Sequence, residues 1–334
     1  MKAIRIRHPA TLDSLELVDM APPPPPGPGE IQVRVRASSL NYHDYSVCAG
    51  LIPTADGRIP LSDAAGEVVA LGEGVSGLAL GDLVIGTFFP RPIGRHVPGS
   101  VFALTPGDGA DGYARERINA PAETFTRAPA GWSAEEAATI PCAGLTAWRA
   151  LVVDGALKPG DTVLVLGTGG VSIYALQIAR AAGARVIATT SSDAKAERLK
   201  ALGADHVINY RSDPEWGKTA FALAGNGVDH VVEIGGAATL PHSLMACGFG
   251  GHVAVIGGLS GYGGEVPTVL ILARQLRVQG LLVGTPAHQA EFVRALETTA
   301  IRPVIDRAFP LADLAEAFRH QLSGRHFGKI VVTL

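Results

Sequence analysis

The sequence predicts an α/β protein whose larger part is a doubly wound parallel sheet with helices on both faces. Three observations carry this. From about residue 133, short apolar runs alternate with helix-patterned segments, as in successive βαβ units. The runs are near-continuous in apolar residues, as strands covered on both faces require. Between one run and the next helix lies "LGTGGVS" (166–172), a glycine-rich turn of the kind that receives a dinucleotide.

The first third is strand-rich. "APPPPPGPGE" (21–30) is a stiff extended connector, and "IQVRVRAS" (31–38) alternates as a half-buried antiparallel strand does. "GEVVALGEGV" (66–75) and "GDLVIGTFF" (81–89) continue this pattern. Residues 87–112, rich in Pro and Gly, are expected to form a long loop. "SAEE" (133–136) is a capping box that opens a helix, with Ser133 as N-cap and Glu136 three residues on. Then come strand 162–167, helix 169–182, strand 185–189, helix 193–202, strand 206–209 and helix 214–224. Strand 228–234, helix 238–246, strand 251–256 and strand 276–284 follow, then helix 311–322 and a final strand "KIVVTL".

Composition narrows the classes. With 47% hydrophobic and 18% charged residues, the 334-residue chain affords a large core. A net charge of −3 gives no electrostatic footprint for nucleic acid or an anionic membrane. Three scattered cysteines without a CxxC pair support neither a disulfide framework nor a cysteine-rich zinc lobe. "MKAIRIRHPA" reads as a strand rather than a secretion signal, and the longest uncharged run, 162–179, breaks into strand, turn and helix. The expectation is a soluble, cytoplasmic protein.

In the turn, Gly167 allows the tight bend, and Gly169 and Gly170 let the backbone approach a pyrophosphate at the helix N-terminus. Val171 begins the apolar face of the helix. The last glycine of the usual fingerprint is replaced by Ser172, whose hydroxyl is expected to cap the helix start or face the phosphates, with slightly wider helix–strand spacing. The strand "RVIAT" should end in Asp or Glu if the cofactor is NAD. Thr190 stands there, followed by Ser191 and, further on, Lys195. This neutral, donor-rich pocket with a cation suits a 2′-phosphate, so the expected cofactor is NADPH. Asp193 reads as part of the cap of the next helix.

"SDAAGEVVALGEGVSGLALGDLV" (62–84), "GLTAW" (144–148), "GTGGVS" and "AGARVIATTSSDAKAERLKALGADHVINY" (182–210) resemble the medium-chain dehydrogenase/reductase superfamily nearly end to end. The chain is most similar to its zinc-independent, quinone-oxidoreductase-like branch, and "LNYHD" (40–44) resembles a segment of enoyl reductase domains. The resemblance implies a GroES-like β-barrel catalytic domain (1–125 and 285–334) around a Rossmann domain (126–284). It also implies a homodimer paired through strand 276–283. It carries Thr146 to the nicotinamide, and Ser191, Lys195 and Tyr210 to the 2′-phosphate. "EIGG" with Gly235, and "IGGLSG" with Gly257 and Gly258, go along the ribose and carboxamide. "FGK", with Phe327 and Lys329, would close over the site.

Zinc-dependent members of the superfamily place a Cys, a His and a Cys where this chain has Asn41, Ser62 and Cys142. Two of those three donors are missing, so no metal is expected. Candidate groups for the chemistry are Asn41, Tyr42, His43 and Ser62. Asn41 would donate through its amide, Tyr42 through its phenol, and His43 stands where zinc enzymes keep a proton-relay hydroxyl. Each also has a structural alternative: Asn41 and Asp44 as loop braces, Tyr42 as a pocket wall, His43 as a surface residue. The activity expected is reduction of quinones or α,β-unsaturated ketones and aldehydes. An NADP-dependent alcohol dehydrogenase or carbonyl reductase is the alternative, and a catalytically quiet NADPH-binding protein is a third possibility.

Overall fold

The computed structural model describes residues 1–90 and 102–334; the stretch 91–101 of the expected long loop lies outside them. In chain order the elements begin with β1 (Lys2–Ile6), β2 (Leu15–Asp19), β3 (Glu30–Ser39), α1 (Tyr42–Cys48), β4 (Ala65–Leu71), β5 (Leu83–Gly86), β6 (Arg117–Pro121), β7 (Phe125–Arg127) and α2 (Ala134–Ala137). They continue with α3 (Leu145–Trp148), β8 (Thr162–Leu166), α4 (Gly170–Ala181), β9 (Arg185–Thr190), α5 (Asp193–Ala201), β10 (His206–Asn209), α6 (Trp216–Ala224), β11 (Val228–Glu233), α7 (Leu240–Ala246) and β12 (Cys247–Val255). The last are α8 (Thr268–Ala273), β13 (Arg277–Gly280), α9 (Pro286–Thr298), β14 (Ile305–Pro310), α10 (Leu314–Leu322) and β15 (Lys329–Thr333).

The chain divides into two compact units, Met1–Leu145 with Val283–Leu334, and Thr146–Leu282. The first boundary falls after Leu145 rather than after residue 125. The reason is that β7 pairs with β5 and α2 packs on β3 and β4, so this stretch belongs to the first sheet.

In the nucleotide unit, six parallel strands among the described residues lie in the order β10-β9-β8-β11-β12-β13. Strand order reverses between β8 and β11, and such a switch point leaves a crevice at the strands' carboxyl ends. All five residues of β8 are buried, which is why its sequence shows no polar alternation. Leu164, Ile187, Val231, Leu244 and Val253 form the core on one side with Trp216 of α6.

In the other unit, β14-β15-β3-β4-β5-β7 form one sheet with β6 also paired to β3, and β1 pairs with β2. β3 is bordered by β4 on one side and by β6 and β15 on the other. Its expected alternation holds only in part. Ala37, Ser38 and Ser39 are all buried, because the strand's end runs beneath a polar cluster that its two serines help to build. The proline-rich connector joins β2 to β3 as expected.

Candidate active site

In the unit that carries β3, the chain leaves that strand through Leu40 and enters α1 with Asn41 as its N-cap. Asp44, buried in the first turn, braces this entry. Its Oδ2 accepts the Asn41 N–H at 3.0 Å and its Oδ1 accepts the Ser62 N–H at 2.8 Å. Asp44 thus ties α1 to the Ser62–Asp63 segment just before β4, and burial raises its pKa.

Asp63 is the centre of the cluster. It is fully buried, and its Oδ2 accepts from Ser39 Oγ at 2.7 Å and Asn41 Nδ2 at 2.9 Å. Lys329, from the first position of β15, lies 3.6 Å from the same oxygen. The Lys329 ammonium donates to Asn41 Oδ1 at 2.6 Å and to the Leu40 carbonyl at 2.7 Å. Asn41 Nδ2 is also 3.4 Å from Ser62 Oγ. Asp63 Oδ1 has no hydrogen-bond partner among the described residues. Burial pushes the Asp63 carboxyl up to about 6, against the pull of Lys329 and with a further push from Asp44. Cys142 lies in the π-helical turn Ile140–Gly144, and burial holds its thiol well above the ordinary range.

These distances reassign three residues. Asn41 was expected to offer its amide to a substrate, but its oxygen is taken by Lys329 and its nitrogen by Asp63, so it braces the site. Lys329 and Phe327 were expected to close over a cofactor. Both are buried within their own unit instead: the ammonium turns inward to Asn41, and the Phe327 N–H donates to Asp306 Oδ1 at 3.0 Å.

His43 and Tyr42 occupy the first turn of α1. The His43 ring stacks on Phe102 at 5.4 Å and meets Phe88 edge-on at 5.5 Å. Its Nε2 is 3.3 Å from Asp108 Oδ2. Burial raises Asp108, while His43 and Arg58 pull it down. The His43 ring is therefore held against two aromatic rings and beside a carboxylate rather than loose on the surface, and its Nε2 makes no hydrogen bond among the described residues. Asp108 had no signal in the sequence; its partnership exists only because the 105–112 loop folds back on α1. Tyr42 stays 40% exposed, whereas Tyr45 leans on Phe318. Among the described residues no group of three or more His, Cys, Asp or Glu is arranged to hold a metal.

In the nucleotide unit, Gly167 has φ +72° and Gly169 is the N-cap of α4, with no side chain capping it. A Cβ on either would meet nothing within 4 Å, so the backbone on this side stands open. Gly170 and Val171 open the helix, whose first N–H groups point out of the turn. Ser172 departs from expectation. It is fully buried and donates to the Leu166 carbonyl at 2.6 Å, tying the helix to the end of β8 rather than capping the helix or facing phosphates.

Thr190 ends β9, buried, with Oγ1 3.3 Å from the Ser192 N–H. Ser192 caps α5. Asp193 accepts from Asn209 Nδ2 at 2.7 Å, in line with a local structural role. Since Asn209 pairs with Thr190 across β10 and β9, Tyr210 and Arg211 leave the sheet beside Ser191 and α5. Arg211 is exposed there and is a cation that sequence reasoning passed over. Thr146 is buried in α3.

The loops after β11 and β12 are knitted together. Glu233 Oε1 accepts from the Gly235 N–H (2.7 Å), the Gly236 N–H (2.9 Å) and Thr239 Oγ1 (2.6 Å), and its Oε2 accepts from Ser243 Oγ. Ser260 joins the second loop to the first through the Gly235 carbonyl and the Ala238 N–H. A Cβ at Gly235 would strike Thr239, and one at Gly257 the Ile234 carbonyl, so close packing accounts for both glycines. At Gly258 a Cβ would meet the Tyr262 ring.

Residues 27–130 match the alcohol dehydrogenase GroES-like domain family, and residues 170–300 match the zinc-binding dehydrogenase family. A zinc-type alcohol dehydrogenase-like protein of Schizosaccharomyces pombe is 39% identical over 308 residues, covering 89% of each chain. The chain belongs to the medium-chain dehydrogenase/reductase superfamily. Among solved structures, one described as an NAD-dependent alcohol dehydrogenase has a TM-score of 0.90 and 36% identity, with 100% of both chains covered. A crotonyl-CoA carboxylase/reductase in complex with NADP has a TM-score of 0.86 and 25% identity, over 100% of this chain and 95% of that one. This member of the superfamily is thus an NAD(P)H-dependent oxidoreductase. Among its described residues no helix is long and apolar enough to cross a membrane.

Proposed function

We propose that the protein is a metal-free, NADPH-dependent reductase of α,β-unsaturated ketones or aldehydes, or of quinones. The observation that carries this reading is the Asn41–Asp63–Lys329 cluster. Of the three positions that hold metal donors in zinc-dependent members, Asn41 and Ser62 are here bonded to each other, and Asn41 also to Asp63 and to an ammonium. A dication brought to this place would meet a lysine already 2.6 Å from Asn41 Oδ1, and amide and hydroxyl oxygens are poor zinc donors. Zinc therefore does not fit these residues. Without a Lewis acid, generating an alkoxide from an alcohol is demanding, whereas conjugate reduction asks only for donors to an enolate and a proton.

The open glycine turn fits a pyrophosphate, and Ser191, Lys195, Tyr210 and Arg211 fit a 2′-phosphate; bound there, NADPH supplies the hydride. His43 supplies the proton. Its ring lies with Nε2 3.3 Å from Asp108 Oδ2, and it passes a proton to the α-carbon of the enolate and regains one from water. Tyr42, exposed one residue earlier, forms part of the substrate wall. Ser62, buried at 3.4 Å from Asn41, serves the cluster rather than the substrate. The proposed substrate is thus a small, conjugated carbonyl compound.

The alternative, a carbonyl reductase acting on a simple alcohol/ketone pair, is favoured by those relatives described as alcohol dehydrogenases. The test is cofactor oxidation with enones, quinones and simple ketones, with NADPH and NADH in parallel, on protein of measured zinc content. Turnover of enones or quinones by zinc-free protein supports the proposal. A requirement for stoichiometric zinc, or turnover of ketones alone, overturns it.

A further inference from the structure

We propose that Lys329 is an internal cation that stands in for a metal: its ammonium excludes divalent ions from the cluster and locks the amide of Asn41. The inference rests on the metal-free reading above and explains how that state is enforced. Lys329 is 4% exposed and comes from a different part of the chain than its partners, across the β15–β3 pairing. A lysine buried this far is stable only where carbonyl or carboxylate oxygens meet its charge. Here those oxygens are Leu40 O, Asn41 Oδ1 and Asp63 Oδ2.

The arrangement fixes the sense of the Asn41 amide. Its oxygen must face the ammonium, which has only donors, and its nitrogen must face Asp63 Oδ2, which only accepts. Rotating the amide by half a turn would set donor against donor and acceptor against acceptor. Asn41 caps α1, so the same lock sets the start of the helix that carries Tyr42 and His43. Lys329 is therefore a positioning residue acting through Asn41 and Asp63.

Removing the ammonium would leave a buried carboxylate uncompensated, with the Cys142 thiol nearby. Asp63 Oδ1, already without a partner among the described residues, adds a vacant oxygen donor. One thiolate and one carboxylate, with water completing the shell, are donors that a borderline-soft dication takes.

The test uses cobalt as a spectroscopic probe. The full-length protein, Lys329→Ala, and Lys329→Ala with Cys142→Ser are incubated with excess Co²⁺ and desalted. Metal content and the thiolate-to-cobalt charge-transfer band are then measured. Native protein is expected to retain no cobalt. Lys329→Ala is expected to retain stoichiometric cobalt with the band, and the double variant to lose the band. Cobalt held stoichiometrically by native protein with Lys329 intact overturns the inference, and so does a folded Lys329→Ala that takes up none. Lys329→Met, equal in length and uncharged, replaces Lys329→Ala if that variant does not fold; the same uptake is expected of it and the same failure counts.

A second arm reads the amide lock. Lys329→Met should lower kcat on the best enone or quinone at least tenfold with little change in KM, and Lys329→Arg should restore part of it. Equal kcat in Lys329→Met overturns the lock. The metal arm needs no substrate, so it stands even if the proposed activity fails.

Discussion

A hydroxyl rather than a carboxylate at Thr190 removes the anion that would repel a 2′-phosphate, and Asp193 is bonded to Asn209. Lys195 is the cation proposed for that phosphate. Lys195→Ala should weaken NADPH binding by about 1.5–3 kcal/mol, roughly ten- to a hundredfold in Kd, and leave NADH almost unchanged. Thr190→Asp should move preference toward NADH. Isothermal titration with both cofactors checks this, and equal effects on the two would refute the assignment. Asp63 supports a second prediction. Its carboxyl is raised from 3.8 to about 6 in the fold, so the folded state binds the proton more tightly than the unfolded chain. Stability should therefore fall as pH rises from about 4 through 6, by on the order of 3 kcal/mol from this group. Asp44 and Asp108 are raised as well and add to the same trend. Asp63→Asn should flatten the slope across that window in urea denaturation; an unchanged slope would show that Asp63 is not the group responsible.

At the level of elements, the glycine turn and the Ser133 cap were legible because each depends on neighbours within a few residues. Ser133 accepts from the Glu136 N–H at 3.2 Å, while Glu136 accepts from the Ser133 N–H at 2.9 Å. The role of Ser172 was not legible. Whether a small hydroxyl faces a ligand or the preceding strand depends on how α4 lies on β8, and local sequence does not encode that. Lys329 was illegible for a stronger reason, since its partners are Leu40 and Asn41, at the far end of the chain sequence. Glu233 shows the same limit: as the last residue of an apolar strand it reads as a strand end, yet it holds two N–H groups and two hydroxyls. Glu233→Ala should strand those donors and cost about 3 kcal/mol. It should also raise the Kd for the cofactor, because the 234–239 loop loses its anchor. A variant of native thermal stability and native cofactor affinity would show that Ser260 alone suffices.

Across the whole molecule, the doubly wound sheet was readable because a parallel strand buried on both faces must be apolar throughout, and the spacing of such runs leaves room for little but crossover helices. The sheet of the other unit was harder to read, since β3 meets partners from residue 65 onward, from 117 onward and from 331 onward. Assembly is the remaining question at this scale. Among the described residues β13 is an edge strand of the nucleotide sheet, with Val278 39% exposed, and α8 before it buries none of its residues. Val269 and Leu272 on that helix are 66% and 79% exposed. An unpaired edge beside an apolar helix is unstable against association, and a twofold pairing of β13 with its copy would satisfy the edge hydrogen bonds and cover the helix together. Native protein should therefore run as a dimer in light scattering, and Val269→Lys with Leu272→Lys should yield monomers of unchanged fold. A native monomer, or a dimer that survives both substitutions, would place the interface elsewhere.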